Sequence, residues 1–513
     1  MKFNLKQFMN RIIRYIFILL IFFFVVLSSW QMIRGSIIFH TDIARDFLLM
    51  EDILISKKPA LIGPRSGGIP GVFHGPLWLY INLPAYLIGR GNPVVVGWFW
   101  VILFCLSLFT TFWVGKKLFS EEIGLTASFL VAVSASESIS SLFNPFGAVI
   151  LSPLFFLFFL SYIQKQKAIH LLLCMLTLGF IIQFQMAFGM PVLVLSLIPL
   201  LFTIFNKKKY KHILTFLILL IPLSTFLLFD LRHQFLQTKS VLNYIQGTEN
   251  MGKLKLSPLI FVFTRMKEML LSSVGMFSRG KLLVSIFLLC LILFAFYKIL
   301  NKKSKTKIVY LYALFFYVGY WILTLVFKGT IWGYYYWPFL PILAIIFAGF
   351  IQNHNTKVVF TIFIFIAIFN GFLLLQGILY EKNNYVRTGS WLFYFTQAKK
   401  IYEDSQGDFG YYIYTADQYG YSSRYAMNYA QKLFLKNEVF PYEKKQTTYL
   451  IIFPSTNPYT SEHWWKKNQV KIDRKADTIF KFNDGSYIEK YILSPEEQKV
   501  ESDQNLIHNL IFR

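Results

Sequence analysis

Residues 11–38 read RIIRYIFILLIFFFVVLSSWQMIRGSII, and this stretch decides the fold class. Lys2, Lys6, Arg11 and Arg14 precede an apolar run from about Tyr15 to Ile38. A run of about 20 apolar residues is enough to cross the hydrocarbon of a bilayer as a helix. No small-x-small cleavage site closes it, so it reads as an uncleaved first span rather than a removed leader. Apolar runs recur along the chain, starting near residues 93, 121, 146, 168, 190, 212, 281, 308, 333 and 357. The expectation is an α-helical polytopic membrane protein with about eleven transmembrane helices.

Composition agrees. Of 513 residues, 55% are hydrophobic, 19% are aromatic and only 15% are charged, against about 25% charged in an ordinary soluble domain. The net charge of +25 does not imply a nucleic acid partner, because of where it lies. After residue 380 there are 18 Lys or Arg against 16 Asp or Glu, whereas residues 1–379 hold 33 against 10. The early bases sit in short clusters between apolar runs: the N-terminus, Lys116-Lys117, Lys165 with Lys167, Lys207 to Lys211, and Lys302 to Lys307, with Lys357 a weaker sixth. They occupy every second loop, as the positive-inside bias requires. This places the N-terminus in the cytoplasm and the C-terminus outside the cell membrane. Cys105, Cys174 and Cys290 lie inside apolar runs with no metal-site or disulfide spacing and read as packing residues.

Three outer segments are long enough to act: residues 34–92, residues 231–280, and the balanced, tyrosine-rich stretch 380–513. The last alternates short apolar strands such as Tyr449 to Phe453 with helical stretches such as Ser390 to Glu403. It is expected to be a small extracytoplasmic α/β domain following a membrane domain of residues 1–379.

Residues 40–52 read HTDIARDFLLMED and hold four of the ten acids before residue 380: Asp42, Asp46, Glu51 and Asp52. Thr41 or Asp42 suits a helix cap. On that helix Asp42 and Asp46 share a face one turn apart, with Arg45 beside them. Such a pair can hold a cation, or one carboxylate can serve as general base while the other orients it. The same spacing also suits a solvated helix with an internal Asp–Arg pair, and spacing alone does not choose. Glu51 and Asp52 are expected to face solvent or headgroups. A Gly/Pro-rich loop, residues 63–71, leads to the aromatic stretch 73–84, FHGPLWLYINLP, suited to the membrane interface. There His74 is either a ligand or proton carrier or a hydrogen-bonded structural residue.

Further on, Phe229-Asp230-Leu231-Arg232-His233 closes the seventh apolar run. Arg232 either grips a phosphate through its bidentate fork, oriented by Asp230, or snorkels to the interface. In the outer turn from Lys328 to Pro338, Lys328 reaches the same phosphate and Tyr334, Tyr335 and Tyr336 line a groove, or the segment is an aromatic belt. Residues 257–272, with Arg265, Lys267 and Glu268, read as another interfacial helix.

The first outer segment resembles that of the GT-C membrane glycosyltransferases, notably the aminoarabinose transferases and protein O-mannosyltransferases. Asp42-Ile43-Ala44-Arg45 is similar to the family's Asp-x-x-Arg start, and His74-Gly75-Pro76-Leu77-Trp78-Leu79-Tyr80 to its Pro-Pro-Leu-x-Tyr-Trp segment. The likeness covers residues 10–380 in layout but only about 50 in motif. It implies a sugar linked to a polyprenyl phosphate as donor and a lipid, protein or polysaccharide hydroxyl as acceptor. It further implies Asp42 as the catalytic base with Asp46 as helper, and inversion at the anomeric carbon. By the same resemblance Arg232, His233 and Lys328 meet the donor phosphate, and Arg45, His74, Glu137, Asn144 and Tyr335 line the substrate site. Relatives commonly carry a second Asp before the fourth span, where this chain has Asn144, with Glu137 nearby on the same turn. A divalent metal held through Asp42 therefore lacks the family's second carboxylate. Two other classes remain: a flippase or transporter of lipid-linked saccharides, which calls for charges inside several spans, and a non-catalytic envelope-assembly protein, for which Asp42 is dispensable.

Overall fold

The computed structural model describes residues 5–246, 257–300, 306–327, 329, 331–353, 356–383, 389–416, 419–434, 438–455 and 461–506. Among them, six helices are long and apolar enough to cross a membrane: Pro93–Leu118, Pro145–Lys165, Met186–Asn206, Tyr210–Arg232, Lys307–Thr324 and Thr361–Tyr380. The chain is a multi-pass membrane protein, but the expected eleven spans fall to six on this measure. Four of the other expected spans are shorter apolar helices, Arg14–Ser28, Ala168–Phe184, Leu282–Phe294 and Phe339–Phe350. The fifth, Glu121–Ser134, has only 14 residues and opens on two acids. Those acids are held from below: Glu121 pairs with Arg14 at 3.1 Å and Lys116 at 2.8 Å, and Glu122 pairs with Arg14 at 3.0 Å.

Close helix packing replaces the hydrophobic effect as the binding force where both sides are apolar. Pro93–Leu118 and Glu121–Ser134 meet glycine to glycine: a Cβ on Gly115 would lie 2.7 Å from the Gly124 Cα. The mobile ends of long side chains cannot relieve this contact, because its other partner is backbone. Gly147 is likewise pressed on the Phe184 ring.

Two helices of the second outer segment are inside out. In Leu236–Gln246, Gln237 and Ser240 are buried while Leu242 and Ile245 are exposed. Gln237 accepts from Phe73 N at 3.0 Å, so its polar face is spent on the first outer loop. In Pro258–Ser272, Arg265 is 0% exposed whereas Leu259, Phe263 and Met266 face outward. An apolar outer face on a short helix beside a transmembrane bundle belongs to the lipid interface.

The C-terminal part is an α/β unit. Strands β1 (Phe409–Tyr414), β2 (Val439–Pro441), β3 (Thr447–Ile452), β4 (Thr478–Lys481) and β5 (Tyr487–Ile492) form one sheet in the order β2-β1-β3-β5-β4. The β1–β2 and β1–β3 pairs are parallel, and the β3–β5 and β5–β4 pairs are antiparallel. β1 is buried throughout, as its run FGYYIY predicts for a central parallel strand. Helices Trp391–Asp404 and Tyr421–Phe434 join this sheet to the membrane part. Ile38 bridges to Ser390, Phe39 N donates to Gly389 O at 2.8 Å, and Trp391 N donates to Ile37 O at 2.8 Å. Phe39 then packs edge-on to Phe47 and Trp391 with centroids 5.4 and 5.1 Å away, and lies 5.7 Å from Tyr425.

Gly124→Leu is expected to destabilise the bundle by about 1–3 kcal/mol, the usual cost of overpacking. The midpoint of thermal unfolding in detergent should fall accordingly, and Gly377→Leu, with open space around it, should leave it unchanged.

Candidate active site

Helix Thr41–Ser56 carries the acids. His40, with φ −78° and ψ 171°, occupies the cap position and makes no side-chain cap bond, so neither Thr41 nor Asp42 caps the helix as expected. Asp42 instead sits in the first turn, where the helix dipole favours a negative charge. Arg45 shares its guanidinium between the two aspartates. Its Nη1 donates to Asp42 Oδ1 at 2.6 Å, while Nη2 and Nε donate to Asp46 Oδ1 at 3.0 and 3.2 Å.

The two acids differ in depth. The side chain of Asp42 is 40% exposed and that of Asp46 is 5% exposed. Asp46 Oδ2 is buried without a hydrogen bond. It borders a cavity of about 10 Å³ lined by Trp78, Asn82, Trp100 and Leu142 among others, which is room for one water and not for a sugar. Asp46 is therefore buried behind the guanidinium that it shares with Asp42. Burial pushes its carboxyl up to about 6, against the lowering pull of Arg45 and with a further rise from Asp42. Burial also lowers the Arg45 guanidinium, but the neighbouring Asp46 and Asp42 charges outweigh it and raise it overall.

Several groups surround this pair. His74 is buried, and its Nδ1 has no hydrogen bond. Burial, with help from the positive charge of Arg45, lowers its imidazole to about 4, so the ring is neutral at pH 7. His40 is lowered in the same way, chiefly by burial. From the opposite side, the turn after Lys307–Thr324 brings Tyr334 and Tyr335, whose rings meet edge-on at 5.0 Å. Burial, added to the charge of Asp42, pushes the Tyr335 phenol up to about 12 and Tyr334 higher still. Tyr334 also rests on Phe143 at 5.1 Å, and Phe143 on the His40 ring at 5.7 Å. The C-terminal unit contributes Tyr421, near enough to Arg45 for its ionised form to raise the guanidinium further. The structure thus gathers Asp42, Arg45, His74 and Tyr335 with His40, Phe143, Tyr334 and Tyr421. Of these, Tyr334 was visible in the sequence as part of an aromatic run. Tyr421 carries no signal beyond the local run Tyr-Gly-Tyr at 419–421.

The other candidates make contacts of their own. Arg232 is exposed at the end of Leu220–Arg232 and has no hydrogen bond or ion pair among the described residues. Asp230 does not orient it. Its carboxylate accepts from Gln237 N at 2.8 Å, Thr238 N at 3.1 Å and Thr238 Oγ1 at 2.6 Å, anchoring the start of the next helix. His233 stacks on Phe229 with centroids 4.1 Å apart. The amide of Asn144 is buried and donates to Phe184 O at 2.7 Å, which is helix-to-helix packing. Glu137 belongs to the 3-10 helix Ser136–Ser141, but its side chain lies outside the described residues. Lys328 also lies outside them. Its neighbours Phe327 and Gly329 are fixed by Arg265, whose Nη2 donates to both carbonyls while Nη1 pairs with Glu268 at 2.7 Å. Glu51 overturns its expected exposure: it is buried, paired with Lys432, and accepts from Asn428 at 2.7 Å. Among the described residues no three His, Cys, Asp or Glu converge on one point. Asp42 with a guanidinium on one oxygen, and Asn144 turned to packing, do not make a donor set that fits a divalent cation.

No family model matches the chain, and no curated protein matches it by sequence. Solved structures do. ArnT from Cupriavidus metallidurans, crystallised with undecaprenyl phosphate, superposes with a TM-score of 0.57 over 92% of this chain and 97% of its own, at 11% identity. Its apo form gives 0.56 over the same shares. The chain has the ArnT fold. The likeness runs through both the membrane part and the C-terminal unit, since it leaves out so little of either chain. The archaeal oligosaccharyltransferase AglB from Archaeoglobus fulgidus is a looser match, with a TM-score of 0.43 at 9% identity over 85% of this chain and 69% of that one. Identity this low establishes the fold, and chemistry has to be argued from the residues.

The value of about 6 for Asp46 lies above its ordinary 3.8, so protonation favours the folded state. This contribution is complete below about pH 3.8 and is lost as pH rises through 6. Thermal stability of the wild type is expected to fall over that window relative to Asp46→Asn, which has no proton to lose. Parallel curves for the two proteins would exclude the buried acid.

Proposed function

We propose that the chain is a membrane glycosyltransferase that moves a sugar from a polyprenyl-phosphate donor to an acceptor hydroxyl on the outer face, with inversion. The observation that carries this reading is Asp42: a half-exposed carboxylate held from one side by Arg45, faced by Tyr334 and Tyr335, in a fold seen in ArnT with undecaprenyl phosphate. On this reading all eleven apolar helices named in the sequence cross or enter the membrane, with the N-terminus inside and residues 380–513 outside.

The chemistry follows from the arrangement. An acceptor hydroxyl is a weak nucleophile and needs a base within hydrogen-bond reach as it attacks. Arg45 fixes Asp42 Oδ1 and leaves the second oxygen for that proton. A bond forms from the acceptor oxygen to the sugar C1 while the bond from C1 to the phosphate oxygen breaks on the opposite face. The leaving group is a lipid phosphate whose growing charge needs cationic donors, the role proposed for Arg232, His233 and Lys328. His74, neutral at working pH, offers a hydrogen bond and not a charge. Asp46 keeps Arg45 turned toward Asp42, which is positioning and not contact.

Asp42→Asn is expected to lower release of undecaprenyl phosphate from a synthetic lipid-phosphate sugar by about 10²- to 10⁴-fold, with unchanged thermal unfolding. Arg232→Ala should weaken donor binding and leave the fold intact. Full turnover by folded Asp42→Asn would remove it as the base, and no release by the wild type from any such donor would remove the enzyme reading.

A further inference from the structure

The C-terminal unit brings a pair of tyrosine rings to the entry of the acid helix. Gly420 separates Tyr419 from Tyr421 and has φ +57°, the left-handed region that glycine enters without strain. A Cβ at this point would lie 2.8 Å from Ile413 Cγ2 on β1, so close packing against the central strand also requires a glycine. The turn brings the two tyrosine rings face to face, with centroids 5.2 Å apart and planes 22° from parallel. Tyr421 is half-buried and packed on the core, whereas Tyr419 is 46% exposed. One ring is the anchor and the other is presented.

Their position follows from the next residue. Ser422 Oγ donates to Phe39 O at 2.8 Å, which pins the start of Tyr421–Phe434 beside the entry to helix Thr41–Ser56, three residues before Asp42. Tyr425, one turn on, donates to Gly91 O at 2.6 Å and fixes the same helix to the membrane part. The ring pair therefore cannot drift relative to Asp42. It also comes from the extramembrane side. A lipid-linked donor arrives through the membrane helices, and displacement at C1 requires the acceptor oxygen to approach opposite the phosphate. On the proposed topology the tyrosines lie on the side from which the acceptor comes.

We propose that Tyr419 and Tyr421 form an acceptor platform that binds a sugar ring next to the hydroxyl to be glycosylated. This rests on the glycosyltransferase reading and narrows its acceptor to a glycan or glycolipid. A pyranose ring has one face lined with C–H groups, which stacks on an aromatic face, and hydroxyls at its rim that a phenol can meet. Tyrosine supplies both with few rotatable bonds to freeze.

The test is binding first and turnover second. The full chain in lipid nanodiscs is titrated with methyl glycosides of gluco, galacto, manno and N-acetylglucosamine configuration, and saturation transfer from protein to ligand is measured by NMR. Transfer to the ring C–H protons of at least one glycoside is expected, lost in Tyr419→Ala and kept in Tyr419→Phe. The octyl form of that glycoside should serve as acceptor, with KM about tenfold higher in Tyr419→Ala. No transfer to any glycoside, equal transfer in Tyr419→Ala, or acceptance of a Ser/Thr peptide in place of glycosides would overturn the platform. Glycoside binding that depends on Tyr419 without any turnover would sustain the platform and sink the enzyme reading alone.

Discussion

The structure depends on the short stretch Ser36 to His40, where backbone from the end of the first span is stitched to backbone that precedes the C-terminal unit. Two main-chain bonds and the Phe39 ring set that junction. Ile38 N adds a third, to Ser140 O at 2.9 Å in the turn after Glu121–Ser134. The helix bearing Asp42 begins at the next residue. Its start is thus fixed at once by the bundle and by the outer unit, and further down its length Glu51 meets Lys432 and Asn428. Buried ion pairs add little net stability, because desolvation offsets their attraction. Here the pair fixes register: a helix carrying an unpaired buried Glu51 would have to move.

Arg45 does for charge what Phe39 does for position. One guanidinium between two carboxylates separates their roles by depth alone: Asp46 is sealed among Trp78, Asn82 and Trp100, and Asp42 is left at the rim. Asn82 accepts from Trp100 Nε1 at 2.8 Å and donates to Trp78 O, so the floor beneath Asp46 is itself satisfied and rigid. The Asp42–Arg45 pair is thereby presented on a stiff base to the mobile medium above it.

Much of this was legible beforehand. The alternation of apolar runs with basic clusters fixes the membrane class, because burial in lipid is paid for residue by residue along the sequence. The strand near 449–453 and the helix near 390–403 were visible for the same local reason. Helical spacing also put Asp42, Arg45 and Asp46 on one face. What spacing cannot show is how deep each side chain sits, since depth depends on the helices that cover it. That is why Asp46 reads like Asp42 in sequence and Glu51 reads as a surface acid. Glu51 finds Lys432 from 381 residues away, and Asp230 is claimed by Thr238 and not by Arg232. The count of long spans fell because five of the apolar helices, Glu121–Ser134 among them, are short on this measure, which a hydropathy run of mixed length does not reveal.

That short helix has its own consequence. Fourteen residues at 1.5 Å each rise about 21 Å, against about 30 Å of hydrocarbon. Its acidic end is tied to Arg14 and Lys116, and the α-helix by itself is about 9 Å shorter than that hydrocarbon is thick. Ser140, just beyond, holds Ile38 and with it the head of the acid helix. The head of the acid helix is therefore held by a segment whose α-helix is too short to span alone. On the proposed reading, the donor phosphate meets Asp42 at a site built over that short helix.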